Sequence, residues 1–399
     1  MIIRSKYEND VYQWNISYAL MMKFPNMKVR FKFKNRRAGE KFDQKFIEDI
    51  NLEFTKLRML KGTEEDKLRA AKKMWWLPLW YHDWFQNADI YRPEAIKAWL
   101  DENDEFQCIM EDYGWRGVFW ETGAVLPIFS ELRNRAYGYN TMSESAKSEA
   151  IDLLREQINL SNEHHLPFSE FGLRRRFSAV WQDQVDDIIK KEAKYCVGNS
   201  SVYQALRLDQ PAVGTMAHSI FMAYNAVYGY REGNYKCVKD WMDVFNGHSG
   251  ILLGDTIGQD SFLKCMTTLY MKASTGYRHD SGPWETATTK YINRLKELKV
   301  DPLQKSIVYS NSINMFDLDD IANNVRGRVG GVSGGIGGAF TNNIPSMKLA
   351  NPNIVMKLDA IKLDENSPWV PCVKVPDEPG KEMGDPKEVE YCKYVTGRS

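Results

Sequence analysis

The chain has 399 residues, 43% of them hydrophobic and 13% aromatic, enough to bury a large core and too many for one ordinary domain. Lys plus Arg and Asp plus Glu each number 53, so the overall charge favours neither nucleic acid nor an anionic membrane as partner, and anion sites must come from local clusters. No run of about 18 apolar residues offers a membrane span, and six cysteines without a CxxC motif disfavour zinc and a disulfide framework.

The opening "MIIRSKYENDVYQW" lacks a signal-like apolar run, so a cytoplasmic setting is the expectation. "VRFKF" alternates like a strand, and "FIEDINLEFTKLRML" spaces Phe46, Ile50, Phe54 and Leu57 along one helical face. "WWLPLWYHDWF" reads as a packed aromatic corner or domain seam. From residue 126 onward, short apolar runs ending in Gly, Asp, Ser or Arg alternate with helical stretches. "SEFGLRRRFS" leads into "AVWQDQVDDIIKK", where Ser178 can cap and Trp181, Val185, Ile188 and Ile189 share a face. "CVGNSS" precedes "VYQALRL", "GILLGDTIGQD" precedes "SFLKCMTTLYM", and "KSIVYSNS" precedes "LDDIANNV" with Gly327 just beyond. This strand–loop–helix rhythm predicts an α/β domain over residues 126–345, with polar residues gathered where strands end, which in an α/β barrel is the catalytic face. After residue 345, "NIVMKLDAIKL" and "WVPCVKV" return to β character, so 346–399 is expected to pack with 1–125 as a second, α+β domain.

Four clusters can carry chemistry. Arg174–Arg176 precede a helix start, where guanidinium forks and free N–H groups favour phosphate; a solvated face is the alternative. "VGGVSGGIGG" (329–338) suits a phosphate nest, although no dinucleotide fingerprint is present. "YRHDSG" (277–282) brings Arg278 and Asp280 to one strand end, as an anion and ribose or Mg²⁺ site or as a salt-bridge knot. His218, in "GTMAHSIFMA", starts a helix; an imidazole there can be a cap, a ligand, a base or a phosphoryl acceptor.

Taken in order, "NDVYQ", "VRFKFKNR", "SELRNR", "EFGLRRRFS", "VGNSSV", "GTMAHSIFMA", "GDTIGQDSF", "YRHDSG", "SGGIGG", "PNIVMKL" and "PDEPGKEMGDP" resemble the nicotinate phosphoribosyltransferase family over nearly the whole chain. The resemblance implies a type II phosphoribosyltransferase fold, an irregular, TIM-like α/β barrel (126–345) with a second α+β domain built from both termini. It implies transfer of phosphoribose from 5-phosphoribosyl 1-pyrophosphate to nicotinate, forming nicotinate mononucleotide and pyrophosphate for NAD synthesis. Coupling to ATP hydrolysis (the ligase class), Mg²⁺ as cofactor and a head-to-tail homodimer with interfacial sites are also implied. Carried over by position, His218 takes a phosphoryl group from ATP, and Phe171 and Tyr12 sandwich the pyridine, with Tyr12 coming from the partner subunit. Arg174 and Arg278 contact nicotinate and phosphoribosyl groups, and Asp280 lies near ribose and Mg²⁺; Asp255, at the strand end in "GDTIGQD", is a candidate for the substrate site, with a simple turn acid as the favoured alternative. Gly335 and Gly337 surround the 5-phosphate, and Arg36 and Lys381 lie near the pyrophosphate. No Mg²⁺ ligands follow from the resemblance.

Where nicotinamide-using relatives place an aspartate, this chain has Ser200, whose hydroxyl can donate to the acid of nicotinate; a simple helix cap is the alternative. Asn311 and Asn314 replace two usual acids, and Ser219 follows the histidine where Glu is common. These departures keep open a catalytically impaired nucleotide-binding homologue, beside two enzyme alternatives, the nicotinamide- and quinolinate-using relatives.

Overall fold

A computed structural model describes residues 1–37 and 39–398. Eleven strands among them form two sheets. The antiparallel sheet runs β11–β10–β1–β3–β2, from β1 (Lys28–Asn35), β2 (Ile96–Leu100), β3 (Phe106–Tyr113), β10 (Ile354–Lys362) and β11 (Val370–Pro371). The parallel sheet runs β5–β4–β9–β8–β7–β6, from β4 (Phe168–Glu170), β5 (Cys196–Asn199), β6 (Ile251–Leu253), β7 (Gly276–His279), β8 (Ser306–Tyr309) and β9 (Gly331–Ile336). Its end strands β5 and β6 are not paired with each other, which makes an open, irregular α/β barrel with a separate antiparallel sheet.

The strand–helix rhythm places its helices as read. Ser178 accepts from the Trp181 N–H at 3.1 Å to start the helix Ala179–Glu192, which buries Trp181, Val185 and Ile189. Asn314 accepts from the backbone of Phe316 and Asp317 and caps the helix Met315–Val325, so one of the two missing acids is a structural cap. The tryptophan-rich corner splits by face: Tyr81, His82 and Phe85 are buried against Trp14, while Trp75 and Trp80 are exposed.

Two expectations change. The glycine run is largely strand β9 between β4 and β8, and only its end, Gly337–Gly338, opens a short helix, Gly338–Thr341. Glycine is required there because neighbours crowd in: a Cβ on Gly335 would stand 2.5 Å from the Phe171 ring. The tail also does more than rejoin the amino-terminal sheet. β10 pairs along all of β1, but the chain leaves the sheet at Pro371, and the Val375 N–H donates to the Thr256 carbonyl at 2.8 Å. That turn carries Lys374 and Lys381 to the barrel. One apolar core runs from Phe31 and Met356 through Phe221 to Leu253 and Ile307 without a gap.

Candidate active site

The carboxyl ends of the barrel strands are where side chains from separate elements converge in α/β folds. Here Phe171 and Arg174 follow β4, Ser200 follows β5, Asp280 follows β7, Ser310 and Asn311 follow β8, and Gly337 follows β9. They line one cavity of about 530 Å³. Its lining carries eight cationic side chains against two acidic ones, in a chain whose formal net charge is zero. A polyanion is what such a field concentrates.

His218 stands at the first position of the helix His218–Phe245 and is buried. Its Nδ1 lies 3.0 Å from Thr256 Oγ1 and 3.8 Å from Asp255 Oδ1; its Nε2 lies 3.0 Å from Asp280 Oδ2 and 2.9 Å from Lys374 Nζ. Burial, then the Lys374 ammonium, push the imidazole down to about 4, so the ring is neutral near pH 7. With Lys374 donating to Nε2, the ring proton belongs on Nδ1, toward Thr256 and Asp255. That tautomer leaves an Nε2 lone pair at the cavity wall, the form a nucleophile needs. Burial acts to raise the Asp280 carboxyl, but the Arg278 and Lys374 cations hold it well below the usual range.

Around Tyr12 lies a second group. Val11 N–H donates to the Ser200 carbonyl at 2.9 Å, and this docks the helix Val11–Lys23 on the end of β5. Tyr12 therefore reaches the cavity of its own chain, with its Oη donating to Glu121 Oε2 at 2.9 Å and lying 3.4 Å from Arg174 Nη2. The expectation that a partner subunit supplies this ring is corrected: one chain brings Tyr12, Phe171 and Arg174 to one cavity. Lys357, from β10, lies 3.8 Å from Glu121 Oε1, and burial pushes its ammonium down to about 7.

Three further placements refine the expected roles. Asp255 does not line the cavity; it accepts from Ser281 Oγ and stands behind His218, whose Nδ1 is held by Thr256, so its charge acts on the imidazole rather than on substrate. Ser200 gives its hydroxyl hydrogen to Asp10 Oδ1 at 2.7 Å, and it is Ser201, not Ser200, that precedes the helix Val202–Arg207. Arg176, the last of the three arginines, is fully buried on Glu8 and the Ile2 carbonyl, while Arg174 and Arg175 line the cavity. Arg36, Arg278, Gly335, Gly337 and Lys381 also line it, and Lys381 donates to Asn311 Oδ1 at 2.9 Å. The asparagine oxygen thus serves a lysine.

Sequence reasoning missed Asp10, Glu121, Lys357 and Lys374. A signal existed for the two lysines: each interrupts an apolar β run, "IVMKLDA" and "VPCVKV", where a lysine is costly unless it has a task.

A donor triangle of His218, Asp255 and Asp280 brings one atom of each within 4.8 Å of the others. Asp255 Oδ1 is unpartnered there, but the Lys374 ammonium stands 2.9 Å from His218 Nε2 and already supplies the cation at this corner, so a protein-held Mg²⁺ does not fit.

Family models for the nicotinate phosphoribosyltransferase (NAPRTase) family and for the NAPRTase N-terminal domain match residues 166–397 and 7–128. The chain belongs to the nicotinate phosphoribosyltransferase family. Among its relatives, a nicotinate phosphoribosyltransferase of Desulforapulum autotrophicum is 29% identical over all of both chains. One of Pseudomonas savastanoi is 30% identical over 99% of this chain and 95% of its own. The crystal structure of nicotinate phosphoribosyltransferase from Porphyromonas gingivalis superposes with a TM-score of 0.94 at 32% identity, covering 99% of this chain and 100% of that one. A Vibrio cholerae structure, 24% identical with a TM-score of 0.91 over 100% of this chain and 95% of its own, shares the fold. Among the described residues no helix is long and apolar enough to cross a membrane.

Proposed function

We propose that this protein is an ATP-coupled nicotinate phosphoribosyltransferase of the ligase class, acting in the cytoplasm. The observation that carries the reading is a neutral, buried His218 opening onto a cationic cavity that also holds two aromatic rings. The pyridine nitrogen of nicotinate attacks C1 of 5-phosphoribosyl 1-pyrophosphate, the C1–O bond to pyrophosphate breaks, and its electron pair leaves with the pyrophosphate. The transition state loads positive charge on the ribose and negative charge on the leaving group, which suits Asp280 beside Arg36 and Lys381. Tyr12 and Phe171 hold the ring in line, and Arg174 sets its field.

In the coupled half-cycle, His218 Nε2 attacks the γ-phosphorus of ATP and ADP departs. Lys374 offsets the new dianion, and water later releases inorganic phosphate. Mg²⁺ enters with the phosphate chains rather than as a resident ion. Asn311 hydrogen-bonded to Lys381, and Asn314 as a helix cap, speak against an impaired homologue, because both substitutions have partners. Tyr12, Phe171 and Arg174 of one chain line one cavity, which supports a reading in which the pyridine site draws on a single subunit of any homodimer.

The test is mononucleotide and pyrophosphate formation from nicotinate, nicotinamide or quinolinate, each with 5-phosphoribosyl 1-pyrophosphate, with and without ATP. We expect nicotinate to be used preferentially and ATP to stimulate. Equal use of nicotinamide, or no product from any pyridine, would overturn the reading.

A further inference from the structure

The pyridine site contains a carboxyl that the reaction does not explain. Asp10 is 6% exposed, lines the cavity between Tyr12 and Ser200, and accepts the Ser200 hydroxyl hydrogen at 2.7 Å. Its own N–H is held by Gln13 Oε1 at 3.3 Å and Thr122 Oγ1 at 3.4 Å, so the residue is fixed in place. Among the described residues no cation lies within ion-pair distance of it. The titratable groups around it are Tyr12 on its own helix, Glu121 with Lys357 beyond it, Glu170 on β4 and Arg174 after β4. Burial raises the Asp10 carboxyl, and the Ser200 hydroxyl and Arg174 oppose that only in part.

If Ser200 is neutral so that the nicotinate carboxylate meets no like charge, Asp10 restores that charge one hydrogen bond away. Two carboxylates in a dry pocket cannot both stay ionised cheaply, and one is driven to protonate. Nicotinate is the stronger acid and remains the anion.

We propose that Asp10 is a specificity-determining residue that takes one proton from solvent when nicotinate binds and donates it, as a neutral acid, to the substrate carboxylate. This rests on the nicotinate reading above. The ionised form of Asp10 instead accepts from an N–H, which is what a carboxamide offers, so pH sets the preference between acid and amide. Proton uptake is confined to the interval between the Asp10 pKa in the free enzyme and its higher value in the complex. Below that interval the acid is already protonated and uptake vanishes.

Calorimetry of nicotinate binding in buffers of different ionisation enthalpy, over roughly pH 5–9, counts the protons. The same samples give KM and kcat for nicotinate. For the full-length wild type we expect uptake approaching one proton, and a KM that rises by up to about tenfold per pH unit above the free-enzyme pKa while kcat changes less. Asp10→Asn, which keeps a donor and removes the titration, should take up no proton and show a KM without that slope. Asp10→Glu should restore both. Uptake of no proton by the wild type at any pH, or the same slope in Asp10→Asn, overturns the proposal while product formation leaves the nicotinate reading intact. Absence of nicotinate binding overturns both. Lys357, near 7 and lining the same cavity, would also gain a proton beside a bound anion, so Lys357→Met must keep the wild-type uptake, and loss of uptake there overturns the proposal; if Asp10→Asn loses its fold, seen as a lowered Tm, this variant decides.

Discussion

Gly335→Ala perturbs the pyridine site without touching a polar group. The new Cβ would stand 2.5 Å from Phe171 Cε2, 2.7 Å from Cδ2 and 3.2 Å from Cζ. Ordinary contact between such carbons begins near 3.5 Å, so the ring must retreat by about 1 Å. Displacement on that scale costs up to about 10²-fold in rate when a group orients a reactant, and a lost aromatic stack adds about 0.5–1.5 kcal/mol. The expected outcome is a 10- to 100-fold fall in kcat/KM for nicotinate on this basis, with overpacking costing about 1–3 kcal/mol of stability. The decisive assay is a double-mutant cycle with Phe171→Ala, which removes the atoms in conflict. In that background Gly335→Ala should change kcat/KM by less than about threefold, because residues in contact are not additive. Additive losses, or wild-type kinetics in Gly335→Ala alone, would refute the idea that this glycine seats the ring.

Mixing inactive Tyr12→Ala with inactive Arg174→Ala should restore no activity, because both side chains serve the cavity of one chain; recovery after subunit exchange would show that the ring crosses between subunits. The His218 imidazole, held down to about 4 by burial and Lys374, should stay neutral by NMR through the ordinary imidazole range near 6.5, and phosphorylation should show no acid limb there; titration near the ordinary value contradicts this. Because the unfolded chain binds that proton first, stability should fall as pH drops from about 6.5 toward 4. Burial, then Asp186, raise the Glu170 carboxyl, whose unfolded value is near 4.5, so the folded state loses stability as pH climbs from that value through the raised one. Glu170→Gln should therefore gain stability over wild type as pH rises in denaturant titrations; a pH-independent difference would count against a strained buried acid.

Much of this was readable from residues alone, because the barrel's sequence signals are local. A capping serine at 178, an asparagine at 314 and the apolar spacing of Trp181, Val185 and Ile189 each fix an element within a few residues. Strand-end polar residues then fall together by topology. What escaped depends on long-range closure. Lys357 and Lys374 sit over 130 residues from His218, and only the pairing of β10 with β1 and the turn at Pro371 deliver them. The in-chain position of Tyr12 rests on backbone bonds from Val11 to Ser200, Val202 to Asn9 and Tyr203 to Tyr7, which no pattern encodes. The glycine run misled because glycines that make room inside a sheet look, in sequence, like glycines that free a loop.

The most direct test of the central claim is a phosphoenzyme chase. Protein is labelled from ATP carrying radioactive γ-phosphate, freed of nucleotide, and mixed with nicotinate and 5-phosphoribosyl 1-pyrophosphate. The expected result is an acid-labile, base-stable label on His218, absent from His218→Ala, that leaves as inorganic phosphate in step with nicotinate mononucleotide. Label retained during product formation, or label persisting in His218→Ala, would contradict it.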